Sequence, residues 1–342
     1  MRRSFLLVLI LLLVLSFGCS DKEEQPSETI VPAEIEEQEE IEEEDLGPEP
    51  LVKAEKELPG AFMVSIDNHP KANPQSGLDK ADRVYEMLAE GGITRYLAVF
   101  HSRGCEKIGP VRSARYYFAE IAKGHDFPLA HAGGSTDALS LIKKLKVKDL
   151  DEIYNSGSYF WRTKDRKMPH NLYTSTEQLL KGAQVKKYEL LPLKPLPQGT
   201  VTGGKPVDLI EITYSNQPNF SYAVTYEWDG ERYKRYINGK PHVSLEGGEI
   251  VTENVIVLAA KTRQYAQNNE PKTDIDIIGS GQALYFTKGQ GFEGTWEKKK
   301  ANTEIEFFYE GKPMEFVGEH AWINIVPNLD TVKMTEPEVL IN

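Results

Sequence analysis

The sequence predicts an α+β or α/β N-terminal domain followed by a smaller, antiparallel β-rich C-terminal domain. In residues 59–187, apolar strand-like runs alternate with helical segments, which is typical of an α/β layer. In residues 207–342, short runs of β-branched and aromatic residues are separated by Asp-Gly, Asn-Gly and Gly-Gly pairs, which is typical of antiparallel strands. The four prolines of residues 188–206 indicate a linker between the two domains.

Residues 1–19 predict an export signal that ends at a lipidated cysteine. Basic residues precede an unbroken apolar run, Phe5–Leu15, which is too short to span a bilayer because about 20 residues are needed. The stretch Leu15-Ser16-Phe17-Gly18-Cys19 resembles a bacterial lipobox, although Ser16 replaces the usual aliphatic residue. We expect a lipid anchor at Cys19 on the extracytoplasmic face of the cell membrane, with a plain secretory signal or an uncleaved anchor as alternatives.

Residues 20–58 predict an extended acidic tether. The chain has 40 Lys+Arg and 52 Asp+Glu, a formal net charge of -12. Residues 21–58 hold 16 acidic residues against three lysines, so the folded remainder of the chain is close to neutral. Like-charge repulsion and interspersed prolines favour a solvated spacer. The acidic balance also excludes a typical nucleic-acid-binding protein, which needs a basic surface.

The elements of the first domain follow one another from residue 61. Residues 61–66 predict a buried strand, and Gly91-Gly92 predicts a two-residue hairpin turn between the next two strands. That turn would place Glu86 opposite Leu97 and put Glu86 and Arg95 on one face, although residues 82–90 could instead form a helix. Two helices should then begin at Ser113 and after Ser135, with a short strand at residues 128–132 between them.

In the second domain, six short segments predict strands. They are Tyr222–Trp228, Tyr233–Ile237, Asn254–Leu258, Ala283–Thr287, Glu304–Tyr309 and Trp322–Val326.

Arginines near the start of the first predicted helix indicate an anion-binding site. Arg112 and Arg115 combine bidentate donors with the free N–H groups of a helix N-terminus. The alternative is that both arginines pair with Glu86 and Glu90 inside the fold. The candidate ligand-binding residues are Arg95, Arg112, Ser113, Arg115 and Asn171.

Three residues are candidates for catalysis: Glu86, Glu90 and His170. Two carboxylates could act as an acid/base pair, but residues four apart on a strand lie about 13 Å apart, too far for a retaining glycosidase. His170 could be a general base oriented by Glu86 or Asp67, and a hydrogen-bonding role is the alternative. Neither a Gly-x-Ser-x-Gly nor a His-Glu-x-x-His motif occurs. The seven histidines are scattered, so the sequence predicts no metal site and no cofactor.

Several motifs together resemble those of the YerB-like bacterial lipoproteins, a family of unknown function. They are Asn73-Pro74-Gln75-Ser76-Gly77-Leu78, Tyr85-Glu86, Glu90-Gly91-Gly92-Ile93-Thr94-Arg95, Ile108-Gly109-Pro110-Val111-Arg112-Ser113-Ala114-Arg115, His131-Ala132-Gly133-Gly134-Ser135 and Pro169-His170-Asn171-Leu172-Tyr173. The resemblance covers roughly residues 60–335. It implies an α/β domain and a smaller C-terminal domain on an outward-facing, lipid-anchored protein, and it supplies no reaction.

These observations favour a membrane-anchored protein that binds an anionic envelope ligand or a peptide in its first domain. Its expected partners are the membrane, through the lipid at Cys19, and a cell-wall or protein ligand. One alternative is a cell-wall hydrolase or transferase using Glu86, Glu90 and His170. Another is a scaffold for envelope protein assembly, which is favoured if internal ion pairs close the polar groove that we expect in the first domain, residues 59–187.

Overall fold

The structure, a computed structural model, describes residues 58–200, 202–218, 220–267 and 270–337. The predicted signal segment 1–19, the lipidation site Cys19 and, apart from its last residue, the tether 20–58 lie outside the described residues. All described residues belong to one compact unit, Val52–Asn342. Within this part of the chain, no helix has both the length and the apolar run that a membrane span requires.

The chain forms short strands throughout and three helices of ten residues each in the described part. The strands up to the predicted linker are β1 (Phe62–Asp67), β2 (Arg83–Leu88), β3 (Thr94–Phe100), β4 (Leu129–His131), β5 (Asp149–Asp151), β6 (Trp161–Arg162), β7 (Leu172–Tyr173) and β8 (Lys205–Pro206). The later strands are β9 (Leu209–Gln217), β10 (Phe220–Trp228), β11 (Tyr233–Ile237), β12 (Lys240–Pro241), β13 (Val251–Thr252), β14 (Asn254–Ala259), β15 (Thr262–Gln267), β16 (Glu270–Ile275), β17 (Gly279–Thr287), β18 (Gln290–Lys298), β19 (Glu306–Tyr309), β20 (Lys312–Pro313), β21 (Ala321–Val326) and β22 (Val332–Thr335). The helices are α1 (Tyr116–His125), α2 (Thr136–Leu145) and α3 (Thr176–Val185).

A mixed sheet runs through both halves of the sequence. Its strand order is β20-β19-β18-β17-β14-β21-β2-β3-β1-β4-β5, with β8 paired to β18. In the N-terminal part, β1, β4 and β5 are parallel while β2, β3 and β1 are antiparallel. In the C-terminal part, β14 and β17 to β20 are antiparallel. The predicted fold class is confirmed, and the two parts share one sheet because β21 pairs with β2.

A second sheet packs against the middle of the mixed sheet. Its order is β12-β11-β10-β9-β22, with β13 paired to β11. Along β10, buried residues alternate with more exposed ones, as expected of a strand with one face in the core. Tyr214 of β9 and Tyr226 of β10 lie on the buried face of the second sheet, and the hydroxyl of each donates a hydrogen bond to Asn324 Oδ1 of β21, at 3.1 Å. The region between the two sheets is therefore a core that contains polar groups.

The predicted hairpin between β2 and β3 exists, but its predicted register is wrong. Ala89 donates its backbone N–H to the carbonyl of Ile93, so three residues rather than two form the loop. The extra loop residue shifts the pairing by one, so that Glu86 lies opposite Tyr96 instead of Leu97. Arg95 consequently lies on the other face of the sheet from Glu86, because side chains alternate along a strand.

Helix α2 has the predicted bounds, and Ser135 caps it by accepting a hydrogen bond from the backbone N–H of Ala138. Helix α1 begins later than predicted, at Tyr116, with Arg115 at the N-cap position and no side-chain cap. Ser113 is therefore not the cap of this helix. Its carbonyl oxygen instead accepts a hydrogen bond from Arg95, at 2.8 Å, which holds the segment before α1 in an extended form.

Candidate functional site

Most of the polar residues singled out in the sequence lie where the parallel strands β1, β4 and β5 end. β1 ends at Asp67, which lies opposite Arg95 in the register with β3. In open α/β sheets, ligands usually bind outside the carboxyl ends of the strands. This edge of the mixed sheet is therefore the candidate site, and it consists of an outer cluster, a polar cavity and a buried network behind them.

The outer cluster comprises Asp67, His69, Arg112 and His170. His170 Nδ1 lies 2.7 Å from Asp67 Oδ2, and Arg112 Nε lies 3.5 Å from the same oxygen. The rings of His69 and His170 are stacked with their centroids 4.6 Å apart. Burial acts to raise the pKa of Asp67, but Arg95, the backbone N–H of His69, Arg112 and His170 outweigh it, so the pKa lies below its usual value. Asp67 is therefore a carboxylate at neutral pH.

The two histidines of the outer cluster have defined hydrogen-bonding roles. His69 Nδ1 accepts a hydrogen bond from the backbone N–H of Lys71, at 3.1 Å, so the proton of its neutral ring lies on Nε2. Burial, followed by the charge of His170, lowers the pKa of His69, which favours this neutral form. His170 donates through Nδ1 to Asp67 and is thereby oriented by it. His69 Nε2 has no hydrogen-bond partner among the described residues, so it is available as a donor.

Arg112 is the partly open cation of the outer cluster. Its side chain is 29% exposed, whereas the side chain of Asp67 is 3% exposed. Asp67 approaches only the Nε side of the guanidinium, and neither terminal nitrogen has a hydrogen-bond partner in the described parts of the chain. A guanidinium with free terminal nitrogens can bind a carboxylate or a phosphate through two parallel hydrogen bonds.

Glu90 holds the other two predicted arginines. Its carboxylate accepts hydrogen bonds from Arg115 Nε and forms an ion pair with Arg115 Nη2. Arg95 Nη2 lies 3.5 Å from the same carboxylate. Burial, followed by the charge of Arg115, lowers the pKa of Arg95 to about 10, so Arg95 remains charged at neutral pH. Two of the three predicted binding arginines thus share the carboxylate of Glu90.

A polar cavity of about 330 Å³ adjoins this ion-pair group. It lies between the loop after β2, the start of α2 and the β15–β16 hairpin. Groups of both charge signs line it: Glu90, Arg115, Asp137, Lys272 and Asp274. Such a lining matches a ligand that carries an amine as well as a carboxylate more closely than a simple anion.

Asn171 holds the loop between β6 and β7. Its Nδ2 donates to the backbone carbonyls of Thr163, at 2.8 Å, and Arg166, at 3.2 Å. Its Oδ1 accepts a hydrogen bond from Arg162, at 3.2 Å. All of its side-chain polar atoms are therefore used within the protein, and its role in this structure is to position the loop that carries His170.

Glu86 lies in the buried network, away from solvent. Its side chain and that of Arg235 are both 0% exposed, and Arg235 Nη2 lies 2.6 Å from Glu86 Oε2. Oε2 also accepts from Trp322 Nε1, at 3.1 Å. Oε1 accepts from the hydroxyls of Thr94, at 2.8 Å, and Tyr222, at 2.7 Å. Each oxygen of this carboxylate thus has two donors, which is the condition for burying a charge.

The buried network connects back to the outer cluster. Arg235 contacts His242, which lies 3.4 Å from Gln75 Oε1. Gln75 Nε2 donates to the backbone carbonyl of Asp67, at 3.0 Å, and to Asn68 Oδ1, at 3.1 Å. Burial and the charge of Arg235 hold the pKa of His242 well below its usual value, so His242 is neutral. Hydrogen bonds therefore join the second sheet to the end of β1.

A separate cavity of about 590 Å³ lies on another side of the molecule, between β2, the end of α1 and residues 302–308. At its wall, Tyr85 Oη lies 3.0 Å from His125 Nε2, and His125 Nδ1 lies 3.3 Å from Glu304. Burial lowers the pKa of His125 to about 4, and burial also raises the pKa of Tyr85 far above its usual value. Both side chains are therefore neutral at physiological pH.

The structure thus separates the sequence candidates into three places. Arg112 and His170 meet at Asp67, Arg95 and Arg115 meet at Glu90, and Glu86 is buried with Arg235.

Sequence reasoning missed Arg235, His242 and Trp322, which come from the C-terminal half. One signal was present for Arg235: in β11 it is two residues from buried Tyr233 and therefore shares its face.

The fold and the site define a class of protein in which a second sheet packs on a mixed sheet and polar residues gather at one edge of the mixed sheet. Comparison with known families identifies this class. Residues 47–189 match the N-terminal domain, and residues 210–323 the C-terminal domain, of a family described as proteins of unknown function, DUF3048. The chain belongs to this family.

The chain is also similar to a protein of Bacillus subtilis strain 168 named "Putative lipoprotein YerB". The two are 36% identical over 282 residues, which cover 80% of this chain and 83% of the relative. The crystal structure of the YerB protein from Bacillus subtilis resembles this fold with a TM-score of 0.74 at 35% sequence identity. That match covers 81% of this chain and 94% of the solved chain.

Proposed function

We propose that this chain is a lipid-anchored, extracytoplasmic binding protein that recognises an anionic group of an envelope ligand at Arg112. The anchoring part of the proposal is supported by the lipobox-like stretch ending at Cys19 and by the name of the Bacillus subtilis relative. Its membrane attachment would come from acyl chains on Cys19, and the acidic tether would be a solvated spacer between this anchor and the folded part.

The binding part of the proposal depends on one observation, the free terminal nitrogens of Arg112. Asp67 Oδ2 forms an ion pair with the Nε side of the guanidinium at 3.5 Å, without a hydrogen bond, and the other edge of the guanidinium is open. His69 Nε2 supplies a further donor in the same cluster, since the ring of His69 stacks on His170, which contacts Asp67 as Arg112 does. A carboxylate or a phosphate monoester would receive two hydrogen bonds from Arg112 and one from His69.

A peptide segment is a second candidate ligand, because charges of both signs line the neighbouring polar cavity. A peptide terminus at Arg112 with a side-chain amine near Asp137 or Asp274 would use both places. This candidate predicts tighter binding of a peptide that carries an amine than of the same peptide with its amine acetylated.

The two remaining alternatives receive less support from these contacts. A hydrolase that used Glu86 and Glu90 would need carboxylates open to substrate, and Glu86 has no exposed side-chain surface while Glu90 is occupied by two arginines. A scaffold role agrees with the ion pairs between Glu90 and its two arginines, which fill that part of the polar groove. Arg112, however, keeps an exposed edge. Both alternatives stay predictions.

Calorimetry with the unlipidated chain, residues 20–342, tests the proposal. The probes are a peptidoglycan stem peptide and short polyphosphate. Arg112→Ala should weaken binding about 10- to 100-fold, since a hydrogen-bonded ionic contact contributes about 1.5–3 kcal/mol. Arg232→Ala is the matched control, because Arg232 is an exposed arginine in another turn. Equal affinities for Arg112→Ala and the unmodified chain would refute the proposed binding site.

A further inference from the structure

Four large apolar side chains are exposed close together in sequence, beside the β6–β7 hairpin. The exposed fractions are 58% for Ile153, 70% for Tyr154, 37% for Trp161 and 67% for Met168. Arg162 Nη2, next to Trp161, lies 3.3 Å from Glu152, next to Ile153, so the two segments lie side by side. We call residues 152–168 the apolar-basic surface. Exposed apolar groups that cluster in this way mark an interaction site more often than scattered ones do.

Basic residues alternate with the apolar ones on this surface. They are Arg162, Lys164, Arg166 and Lys167. With Glu152 and Asp165 as the acids, residues 152–168 have a net charge of +2, although the whole chain has a net charge of -12. Lys164 and Lys167 are exposed and have no ion-pair partner in the described parts of the chain. Their charges are therefore available to a partner.

The fold holds this surface in a fixed form. Trp161 pairs with Tyr173, and Arg162 with Leu172, in the β6–β7 hairpin. The guanidinium of Arg166 donates to the backbone carbonyls of Ala72, at 2.5 Å, and Pro74, at 2.7 Å. These hydrogen bonds hold the loop of the β6–β7 hairpin against the segment that follows β1. Backbone carbonyls carry no net charge, so the positive charge of Arg166 is not neutralised there. Trp161 and Met168 are thus carried by a hairpin that is already ordered, which lowers the entropic cost of binding.

We propose that the apolar-basic surface binds to anionic lipid headgroups of the membrane to which the chain is anchored. Trp and Tyr prefer the boundary between headgroups and acyl chains, where an aromatic ring and a polar tip are both satisfied. Lys and Arg beside them are attracted by anionic lipids. A protein partner agrees less well with this composition, because the centres of protein interfaces are depleted in lysine.

This proposal rests on the proposed lipid anchor but adds a second, reversible contact. The anchor keeps the folded part near the bilayer, so even a weak surface contact is populated through the high effective concentration. His170 lies two residues after Met168, and Asn171 bonds Arg162. The outer cluster would therefore face the headgroup region, and its ligand would be a membrane-associated molecule.

Vesicle sedimentation with residues 20–342, which include the whole compact unit Val52–Asn342 and lack the lipid, tests this inference. The chain should bind phosphatidylglycerol vesicles more strongly than phosphatidylcholine vesicles, and added salt should weaken the binding. Lys164→Gln and Lys167→Gln should each reduce the partition coefficient about fivefold, since each basic residue at the surface contributes about 1 kcal/mol. The double variant Lys240→Gln/Lys312→Gln, at exposed positions of the short strands β12 and β20, should bind like the unmodified chain.

Tryptophan fluorescence gives a second readout. Trp296 and Trp322 are buried, and Trp228 is partly buried in β10 of the second sheet, so a blue shift on binding should come from Trp161 and should be absent in Trp161→Tyr. The inference fails if phosphatidylglycerol is not bound at low salt, or if the Lys164 and Lys167 variants bind like the Lys240/Lys312 control.

The acidic tether is the main competing occupant. If vesicle binding appears only after Glu34–Asp45 is neutralised by Glu→Gln and Asp→Asn changes, the tether covers the surface and the inference is refuted. Arg112→Ala separates the two proposals: it should weaken binding of the soluble ligand about 10- to 100-fold and leave vesicle binding intact. Loss of ligand binding with no vesicle binding by the unmodified chain would support the proposed function and refute this inference.

Discussion

Replacing Glu86 with glutamine should lower the free energy of unfolding by about 3–5 kcal/mol, the usual cost of removing one partner of a buried ion pair. Both side chains of the Glu86–Arg235 pair are 0% exposed, and Glu86 is the only carboxylate within 4 Å of Arg235 in the described parts of the chain. The remaining hydrogen-bond partners of Arg235 are Tyr222, Tyr226 and His242, none of which carries a negative charge at neutral pH. Glutamine would keep the size of the side chain and leave a buried guanidinium without a counter-charge.

Urea and thermal unfolding followed by circular dichroism measure this effect. A loss of about 4 kcal/mol should lower the melting temperature by about 10 °C in a unit of this size. Glu177→Gln is the matched control, because Glu177 is 73% exposed and pairs with Lys181 on the surface of α3. That control should change stability by less than about 0.5 kcal/mol.

A double variant tests the cause. Glu86→Leu combined with Arg235→Met removes both charges, and it should be more stable than Glu86→Gln alone because no buried charge is left unpaired. A Glu86→Gln protein as stable as the Glu177→Gln control would refute the reasoning. So would a double variant that loses more stability than the two single changes added together.

Three further predictions concern other parts of the chain. Burial lowers the pKa of His125 to about 4, so the unfolded chain takes up a proton near pH 6.5 while the folded protein does not. The free energy of unfolding should therefore fall by about 1.4 kcal/mol per pH unit from this group as the pH drops from 6.5 towards 4, and urea titrations of His125→Asn should show a shallower pH dependence. Gly77 has a φ of +83°, and an added Cβ would lie 2.7 Å from Cys105 Sγ and Lys107 O. Gly77→Ala should thus lose about 1–3 kcal/mol in urea unfolding, and it should lose more than Gly91→Ala, whose added Cβ meets nothing within 4 Å; equal losses would contradict this reading. Cys19→Ser should abolish the incorporation of labelled palmitate in cells, and Cys105→Ser, at the buried thiol, should leave it unchanged.

Local patterns in the sequence predicted individual elements well. Helix α2 has the predicted bounds because Ser135, an N-cap residue, and the αL residue Lys146 after Leu145 define both ends. Strand β11 also has the predicted bounds, since turns with glycine at a positive φ precede and follow it. Such signals lie within a few residues of the element that they limit.

Pairings between distant parts of the chain could not be predicted in this way. Glu86 and Arg235 are 149 positions apart, and no local pattern connects them. The register of β2 and β3 depended on one extra loop residue, which the Gly91-Gly92 pair did not reveal. Of the alternative that Arg112 and Arg115 pair with Glu86 and Glu90, only the pairing of Arg115 with Glu90 occurs. Arg112 pairs with Asp67, and Glu86 pairs with Arg235.

The position of β21 has a consequence for how the protein acquires its structure. This strand, Ala321–Val326, lies between β14 and β2 and is parallel to both. Until residues 321–326 have left the ribosome, β2 and β14 each present an unpaired strand edge, which is prone to aggregation. The large separation in sequence also makes this step slow. A fragment that ends before residue 321 should therefore be insoluble, and the two family domains should not be separable into independently stable halves.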